Sequence, residues 1–71
     1  MLETTIHELR WKTKMTQGEL AEKVGVRRET IGALENGKYN PSLKLAMDIA
    51  AVFGKPVEEI FKFIPDEEQD E

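Results

Sequence analysis

One face of a short helical stretch in the middle of the chain carries side chains that could bind a partner. At helical spacing, this face combines two charged residues, two very small ones and an amide: Arg28, Glu29, Gly32, Ala33 and Asn36. A glycine inside a helix costs roughly 1 kcal/mol relative to alanine, so this is not an ordinary solvated helix surface. Hydrogen-bonding groups with small residues behind them suit a helix in the major groove of DNA, where base edges are read by Arg, Glu and methyl contacts.

The elements that would position this face are two short helices joined by a tight turn within residues 16–37. Thr16 and Glu19 have the spacing of a capping box, which predicts the start of the first helix. Gly25 can adopt the left-handed conformation that ends a helix and turns the chain. The apolar stripes of both helices are predicted to be buried: Leu20, Ala21 and Val24 in the first, Ile31 and Leu34 in the second.

Length and composition limit what else the chain could do. Its 71 residues suffice for one small domain, and they include one His and no Cys. Neither disulfides nor a zinc site is therefore expected, and we predict no metal, cofactor or small-molecule ligand. Without clustered carboxylates or a phosphate-binding glycine loop, enzyme activity is not expected either. The sequence has no apolar run of about 20 residues and no signal-peptide pattern, which predicts a cytoplasmic protein without a membrane partner.

The net charge of -4 at pH 7 is concentrated at one end of the chain. Residues 66–71 hold five of the fourteen Asp and Glu, which leaves nine in residues 1–65 against ten Lys and Arg. Between Arg10 and Lys44, eight Lys and Arg face four acidic residues. This balance is typical of a surface that binds nucleic acid. We predict one domain over residues 1–65 and an acidic, disordered tail over 66–71.

A first helix is predicted before the helical pair. Thr5 and Glu8 have capping-box spacing, so this helix should begin at Thr4 or Thr5 and run to Thr13 with Ile6 and Leu9 buried. Lys14 follows at a position where glycine would adopt the linking conformation more easily.

Two more helices are predicted after the pair. Ser42 should cap a fourth helix that Gly54 ends, and Pro56 should begin a short fifth. Alternation over residues 61–64 predicts a short extended segment at the C-terminal end. The expected core residues of this half are Leu43, Ala46, Ile49, Ala50, Phe53, Val57, Ile60 and Phe61. The fold class is therefore all-α, with five helices and a possible C-terminal strand.

The chain resembles the helix-turn-helix domain of the phage repressor and Cro family, also called the XRE family. The matching positions are Thr16-Gln17, Leu20-Ala21, Gly25-Val26, Thr30-Ile31, Leu34-Glu35-Asn36-Gly37, Asn40-Pro41-Ser42 and Glu59-Ile60-Phe61. The resemblance spans helices one to five. Within the family, the length and the ending are similar to those of small stand-alone dimeric repressors.

The resemblance implies roles at the start of the third helix. Arg28 would bind guanine, Glu29 would accept a hydrogen bond from the amino group of cytosine, and Ala33 would contact a thymine methyl group. Arg27 stands where the family has a small capping Ser or Thr, so the helix loses a cap worth about 1 kcal/mol. We assign Arg27 to the base-reading group, although its position equally suits a phosphate contact.

The resemblance also implies backbone contacts, an ion pair and a dimer interface. The residues implied at the DNA backbone are Thr16, Gln17, Thr30, Asn36, Lys38, Tyr39 and Asn40. Arg10 and Glu35 would form the ion pair. The C-terminal segment, about residues 56–65, would pair two copies through Ile60, Phe61, Phe63 and Ile64, whereas periodicity alone equally suits completion of the core of one copy.

Two functions follow as hypotheses. The first is a sequence-specific transcriptional regulator, a repressor that binds a near-palindromic operator in double-stranded DNA as a homodimer. The second is an antitoxin or adaptor module whose main role is to bind a protein partner, which the acidic tail and Trp11 would support.

Overall fold

A computed structural model describes residues 1–65 and confirms the five predicted helices. Two short strands accompany them. In chain order the elements are β1 (Leu2–Thr4), α1 (Ile6–Thr13), α2 (Gln17–Val24), α3 (Arg28–Glu35), α4 (Leu43–Phe53), α5 (Val57–Ile60) and β2 (Phe61–Phe63). The acidic tail predicted over 66–71 lies outside the described residues. Within residues 1–65, no helix is long and apolar enough to cross a membrane.

The turn between α2 and α3 has the predicted local chemistry. The Thr16 hydroxyl accepts a hydrogen bond from the Glu19 amide at 3.0 Å, and the Glu19 carboxylate accepts one from the Thr16 amide at 2.8 Å. This capping box satisfies amides that the first turn of α2 would otherwise leave unpaired. At the other end Gly25 has a φ of 74°, which places the following residues at an angle to α2.

The capping box predicted at Thr5 is wrong. The Thr5 hydroxyl donates to the backbone carbonyl of Glu59, 3.2 Å away, instead of accepting from the first turn of α1. The Thr5 amide donates to the carbonyl of Ile60 at 3.0 Å. Because these bonds hold Thr5 to the end of α5, α1 begins at Ile6 and not at Thr4 or Thr5.

The extended segment predicted at 61–64 is present as β2, and its partner strand was not predicted. β1 and β2 are antiparallel, with Leu2 opposite Phe63 and Thr4 opposite Phe61. The two ends of the domain are therefore joined by backbone hydrogen bonds. Pro56 occupies the N-cap position of α5, so the helix begins at Val57 and not at Pro56.

One apolar cluster joins all five helices and both strands, as its buried members are Leu2, Ile6, Leu20, Ala21, Ile31, Leu34, Leu45, Ala46, Ile49, Ala50, Ile60 and Phe61. Leu43 was predicted to belong to this core and is instead 73% exposed. The buried stripe of α4 is Leu45, Ala46, Ile49 and Ala50, because at helical spacing Leu45 lies on the same face as Ile49.

The N-terminal strand also packs against the end of α3. Gly37, just past α3, has a φ of 72°, and a Cβ atom there would lie 2.5 Å from the carbonyl oxygen of Leu2. Only glycine satisfies both the left-handed backbone and this close approach. β1 thus fixes the position at which the chain leaves α3.

Candidate nucleic-acid interface

The face of α3 predicted to read bases is open to solvent. Arg28 and Glu29 are exposed, and Ala33 is half-buried one turn further along. On the opposite side Ile31 and Leu34 are fully buried in the core. Since the buried side fastens α3 to the domain, the exposed side is presented on a rigid support.

Arg27 occupies the N-cap of α3 in an extended conformation. Among residues 1–65 its side chain makes no capping hydrogen bond, and its backbone carbonyl accepts from the Thr30 amide at 3.0 Å. Arg27 is exposed, and Thr30 is half-buried. The start of α3 therefore presents two adjacent guanidinium groups, those of Arg27 and Arg28, and no side chain of residues 1–65 caps the helix.

The loop after α3 continues the same exposed region. The Lys38 amide donates to the Ala33 carbonyl at 2.9 Å and the Gly37 amide to the Leu34 carbonyl at 3.1 Å, a Schellman motif that sets the loop's departure from the helix. The side chains predicted to contact the DNA backbone here are all exposed: Asn36, Lys38, Tyr39 and Asn40.

The structure brings Arg10 and Glu35 together across α1 and α3. Arg10 Nε donates to Glu35 Oε2 at 2.6 Å, and Arg10 Nη2 donates to Glu35 Oε1 at 3.2 Å. Arg10 Nη1 also donates to the Met15 carbonyl at 2.9 Å. The side chains are only 13% and 7% exposed, so this bidentate pair is shielded from solvent.

Gln17, predicted to hold a phosphate, connects this pair to the base-reading end of α3. Its Nε2 donates to Glu35 Oε1 at 3.1 Å, and its Oε1 accepts from Arg28 Nη1 at 3.3 Å. We call the four residues Arg10, Glu35, Gln17 and Arg28 the polar chain. It links α1, α2 and α3, and the connection between Gln17 and Arg28 was not predicted from the sequence.

The polar chain keeps Glu35 ionised. Burial alone would raise its pKa, but the hydrogen bonds from Arg10 and Gln17, with the positive charge of Arg10, outweigh burial and lower the pKa below its ordinary value of 4.5. A buried carboxylate with donors from two other helices fixes their relative orientation.

Gly32 lies at the centre of this surface. A Cβ atom there would meet only the side-chain amide of Gln17 within the described residues, at 3.8 and 3.9 Å, which is ordinary contact. Packing inside the domain therefore does not require glycine at this position.

The predicted dimer interface divides into two parts. Ile60 and Phe61 are 1% and 9% exposed and belong to the core of a single copy. Their assignment to an interface is corrected, because α5 and β2 bury them against the other helices. Phe63 is 66% exposed, and Ile64 is half-buried.

A helix pair with one buried and one open face, joined by a glycine turn and held by a polar chain, defines a helix-turn-helix domain. Residues 6–60 match the family described as Helix-turn-helix. The chain belongs to this family, in its XRE type, which consists of DNA-binding transcriptional regulators and is not an enzyme class.

Several known proteins are similar to this chain. An uncharacterized HTH-type transcriptional regulator of Archaeoglobus fulgidus is 62% identical over 68 residues, which cover 96% of this chain and 93% of that protein. The cryptic phage CTXphi transcriptional repressor RstR of Vibrio cholerae is 32% identical over 60 residues, covering 84% of this chain and 54% of RstR. A crystal structure of a Bacteroides fragilis protein shares the fold with a TM-score of 0.75 and 22% identity, covering 87% of this chain and all of that one.

Proposed function

We propose that the protein is a cytoplasmic repressor of transcription that binds a near-palindromic operator in double-stranded DNA as a homodimer. One observation carries this proposal: Arg28 and Glu29 stand exposed at the start of α3, on the side opposite its buried Ile31 and Leu34. A helix fastened in this way can enter a major groove with its first turn toward the base edges. The similarity to RstR, which is described as a repressor, favours repression.

Each side chain of the open face has a chemical role in this proposal. The Arg28 guanidinium can donate two parallel hydrogen bonds to guanine, and the Glu29 carboxylate can accept from the amino group of cytosine. The Ala33 methyl group can contact thymine. Arg27 is the second cation at the same end of α3 and contacts either a base or a phosphate.

Backbone contacts would set the register of the protein on the duplex. The exposed residues Thr16, Asn36, Lys38, Tyr39 and Asn40 and the half-buried Gln17 and Thr30 flank the open face of α3. Hydroxyl, amide and ammonium groups of this kind bind phosphate oxygens without regard to sequence. In the complex, one N–H of the Gln17 side-chain amide would stay on Glu35 while the other donates to a phosphate.

Within residues 1–65, β2 is hydrogen-bonded to β1 along one edge, and its other edge supports a homodimer. Met1 and Ile64 exchange two backbone hydrogen bonds, of 2.9 and 2.7 Å. In an antiparallel pair of strands, hydrogen-bonded and non-hydrogen-bonded residue pairs alternate from such a pair onward. Leu2 and Phe63 are the next pair and are therefore not hydrogen-bonded to each other. The backbone amide and carbonyl of Phe63 consequently point away from β1. An open edge of this kind can pair with the same strand of a second copy.

The side chain of Phe63 favours the same arrangement. It is 66% exposed next to this edge, so pairing of two copies at Phe63 would bury two aromatic rings that one copy leaves in water. Two copies related by a twofold axis would present two α3 helices to successive major grooves, which lie about 34 Å apart. Dimerisation would supply affinity that the few base contacts of a single domain lack.

Selection of bound sites from a random DNA pool tests this function, followed by anisotropy titrations of the selected duplex and of scrambled duplexes at several salt concentrations. We expect one inverted-repeat sequence to be enriched, with affinity well above background and a steep decrease with salt. Binding that shows neither sequence preference nor salt dependence would reject the proposal and would favour the adaptor hypothesis.

A further inference from the structure

A groove with unusual chemistry lies where the end of α1 meets the starts of α2 and α3. Its floor and walls are formed by His7, Arg10, Trp11, Lys12, Lys14, Met15, Thr16, Gln17, Gly18 and Arg28. In the described part of the chain, none of the side chains that line it is acidic. Arg10 is neutralised by Glu35, whereas Lys12, Lys14 and Arg28 leave a net positive charge in the groove.

Trp11 is exposed to an extent that folding does not explain. Its residue surface is 76% exposed, and it lies outside the apolar core cluster. Tryptophan is enriched at binding interfaces, because its ring joins a large apolar surface to a polar N–H group. Trp11 therefore contributes little to the stability of one copy and is available to a partner.

Lys14 is held in a conformation that disfavours lysine. Its φ is 58°, and it is the one residue other than glycine with a positive φ among residues 1–65. The chain uses Gly25 and Gly37 at the corresponding positions after α2 and α3. Glycine would relieve strain at position 14, so the presence of lysine there places a cation at the groove at some cost to folding.

The groove is continuous with the surface assigned to DNA. Thr16, Gln17 and Arg28 line its far wall and also belong to the predicted backbone and base contacts. A duplex lying along α3 would bring a phosphate strand to this wall and then onto the end of α1. Its negative charge complements the cations of the groove, and the flat ring of Trp11 can pack against a deoxyribose.

We propose that this groove is an additional DNA-backbone site, in which Trp11 packs on a sugar while Lys12 and Lys14 bind the adjacent phosphates. The site rests on the proposed DNA binding and extends its footprint from α2 and α3 to α1. It adds affinity that does not depend on sequence.

The variant Lys14→Gly tests the phosphate contact. Because glycine relaxes the left-handed backbone, the variant should fold at least as stably as the wild type. We expect its affinity for an operator-sized duplex of mixed sequence at low salt to decrease about tenfold, with the salt slope lowered by about 1. Lys55→Ala, an exposed lysine in the turn after α4, is the matched control and should bind like the wild type. Equal affinities for Lys14→Gly and wild type would overturn the phosphate contact.

Trp11 is the single tryptophan of the sequence, so its fluorescence reports on this groove alone. Binding of the duplex is followed independently by the anisotropy of a label on the DNA. We expect Trp11 emission to change in parallel with anisotropy, and Trp11→Ala to weaken binding to every duplex. Unchanged Trp11 emission on a duplex that binds would overturn this inference and leave the proposed function standing. A wild-type protein that binds no duplex would overturn both.

Discussion

Arg28 donates a hydrogen bond from Nη1 to Oε1 of Gln17, 3.3 Å away, and so ties the start of α3 to the start of α2. Gln17 in turn donates to Glu35, which receives the bidentate bond of Arg10 from α1. Three helices therefore meet through one carboxylate. The exposed guanidinium that we assign to base reading is held at the end of this chain, and its direction depends on the interior members.

Loss of Arg10 should destabilise the domain more than loss of an exposed cation. In Arg10→Met the Glu35 carboxylate, which is 7% exposed, would keep Gln17 but lose its charged partner. We expect the free energy of unfolding to decrease by about 3 kcal/mol in chemical denaturation. Lys44→Ala is the control, since the Lys44–Asp48 pair on α4 is exposed and should contribute at most about 1 kcal/mol.

A second substitution separates burial of an unpaired charge from loss of packing. Arg10→Met combined with Glu35→Leu removes both charges, so most of the lost stability should return. A double variant as unstable as the sum of the single variants would show that the carboxylate is not the cause.

The lowered pKa of Glu35 predicts a pH dependence of stability. Because the folded pKa lies below the ordinary value of 4.5, the unfolded chain binds the proton first as the pH decreases. The stabilisation is complete above the ordinary pKa and is lost as the pH falls through the folded pKa. The free energy of unfolding, measured by chemical denaturation at a series of pH values, should therefore differ between wild type and Glu35→Gln near neutral pH and become similar in acid. A difference in free energy of unfolding that stays constant as the pH falls below 4.5 would contradict the stabilising role of the Glu35 carboxylate.

Two glycines with the same backbone conformation should respond differently to alanine. Gly25 and Gly37 have φ values of 74° and 72°, but only at Gly37 would a Cβ atom approach the Leu2 carbonyl, at 2.5 Å. We expect Gly25→Ala to cost about 1–2 kcal/mol from backbone strain. Gly37→Ala should cost about 1–3 kcal/mol more, because it also overpacks the contact with β1. Similar melting temperatures for the two variants would mean that β1 does not press on the end of α3.

Local chemistry made much of the fold predictable. The capping box at Thr16, the cap at Ser42 and the end of α2 at Gly25 depend on neighbours a few residues away, and all three are confirmed. The same rule failed at Thr5, because its hydroxyl found an acceptor at Glu59, which is distant in sequence. β1 was missed for the same reason, since three residues become a strand only against a partner at the other end of the chain.

Apolar spacing also left a choice that only tertiary packing could make. On α4, Leu43 and Leu45 both lie within reach of a stripe that includes Ala46 and Ile49, and the interior takes Leu45. At the site, the spacing of α3 predicted which face is open. The Gln17–Arg28 bond needed the relative positions of two helices, which no single stretch contains. The groove at Trp11 combines residues of three helices and was missed for the same reason.

The dimer prediction rests on Phe63. Phe63→Asp changes a side chain that is 66% exposed, so each copy should still fold, while a charge in the seam should yield monomers. Sedimentation equilibrium measures this directly. Met47→Asp, at an apolar residue of α4 that is 55% exposed, is the matched control and should remain dimeric. A dimer that survives Phe63→Asp and dissociates with Met47→Asp would place the seam on α4 instead of β2.

The central claim is that the open face of α3 reads DNA sequence, and Arg28 is its sharpest test. The measurement is the affinity of wild type, Arg28→Ala and Lys38→Ala for the selected duplex and for its single base-pair variants. Arg28→Ala should cost roughly 1–3 kcal/mol and lose preference at one base pair, whereas Lys38→Ala should weaken all duplexes alike and lower the salt slope. Equal losses on every duplex for Arg28→Ala would contradict the assignment of Arg28 as the base-reading residue at the start of α3.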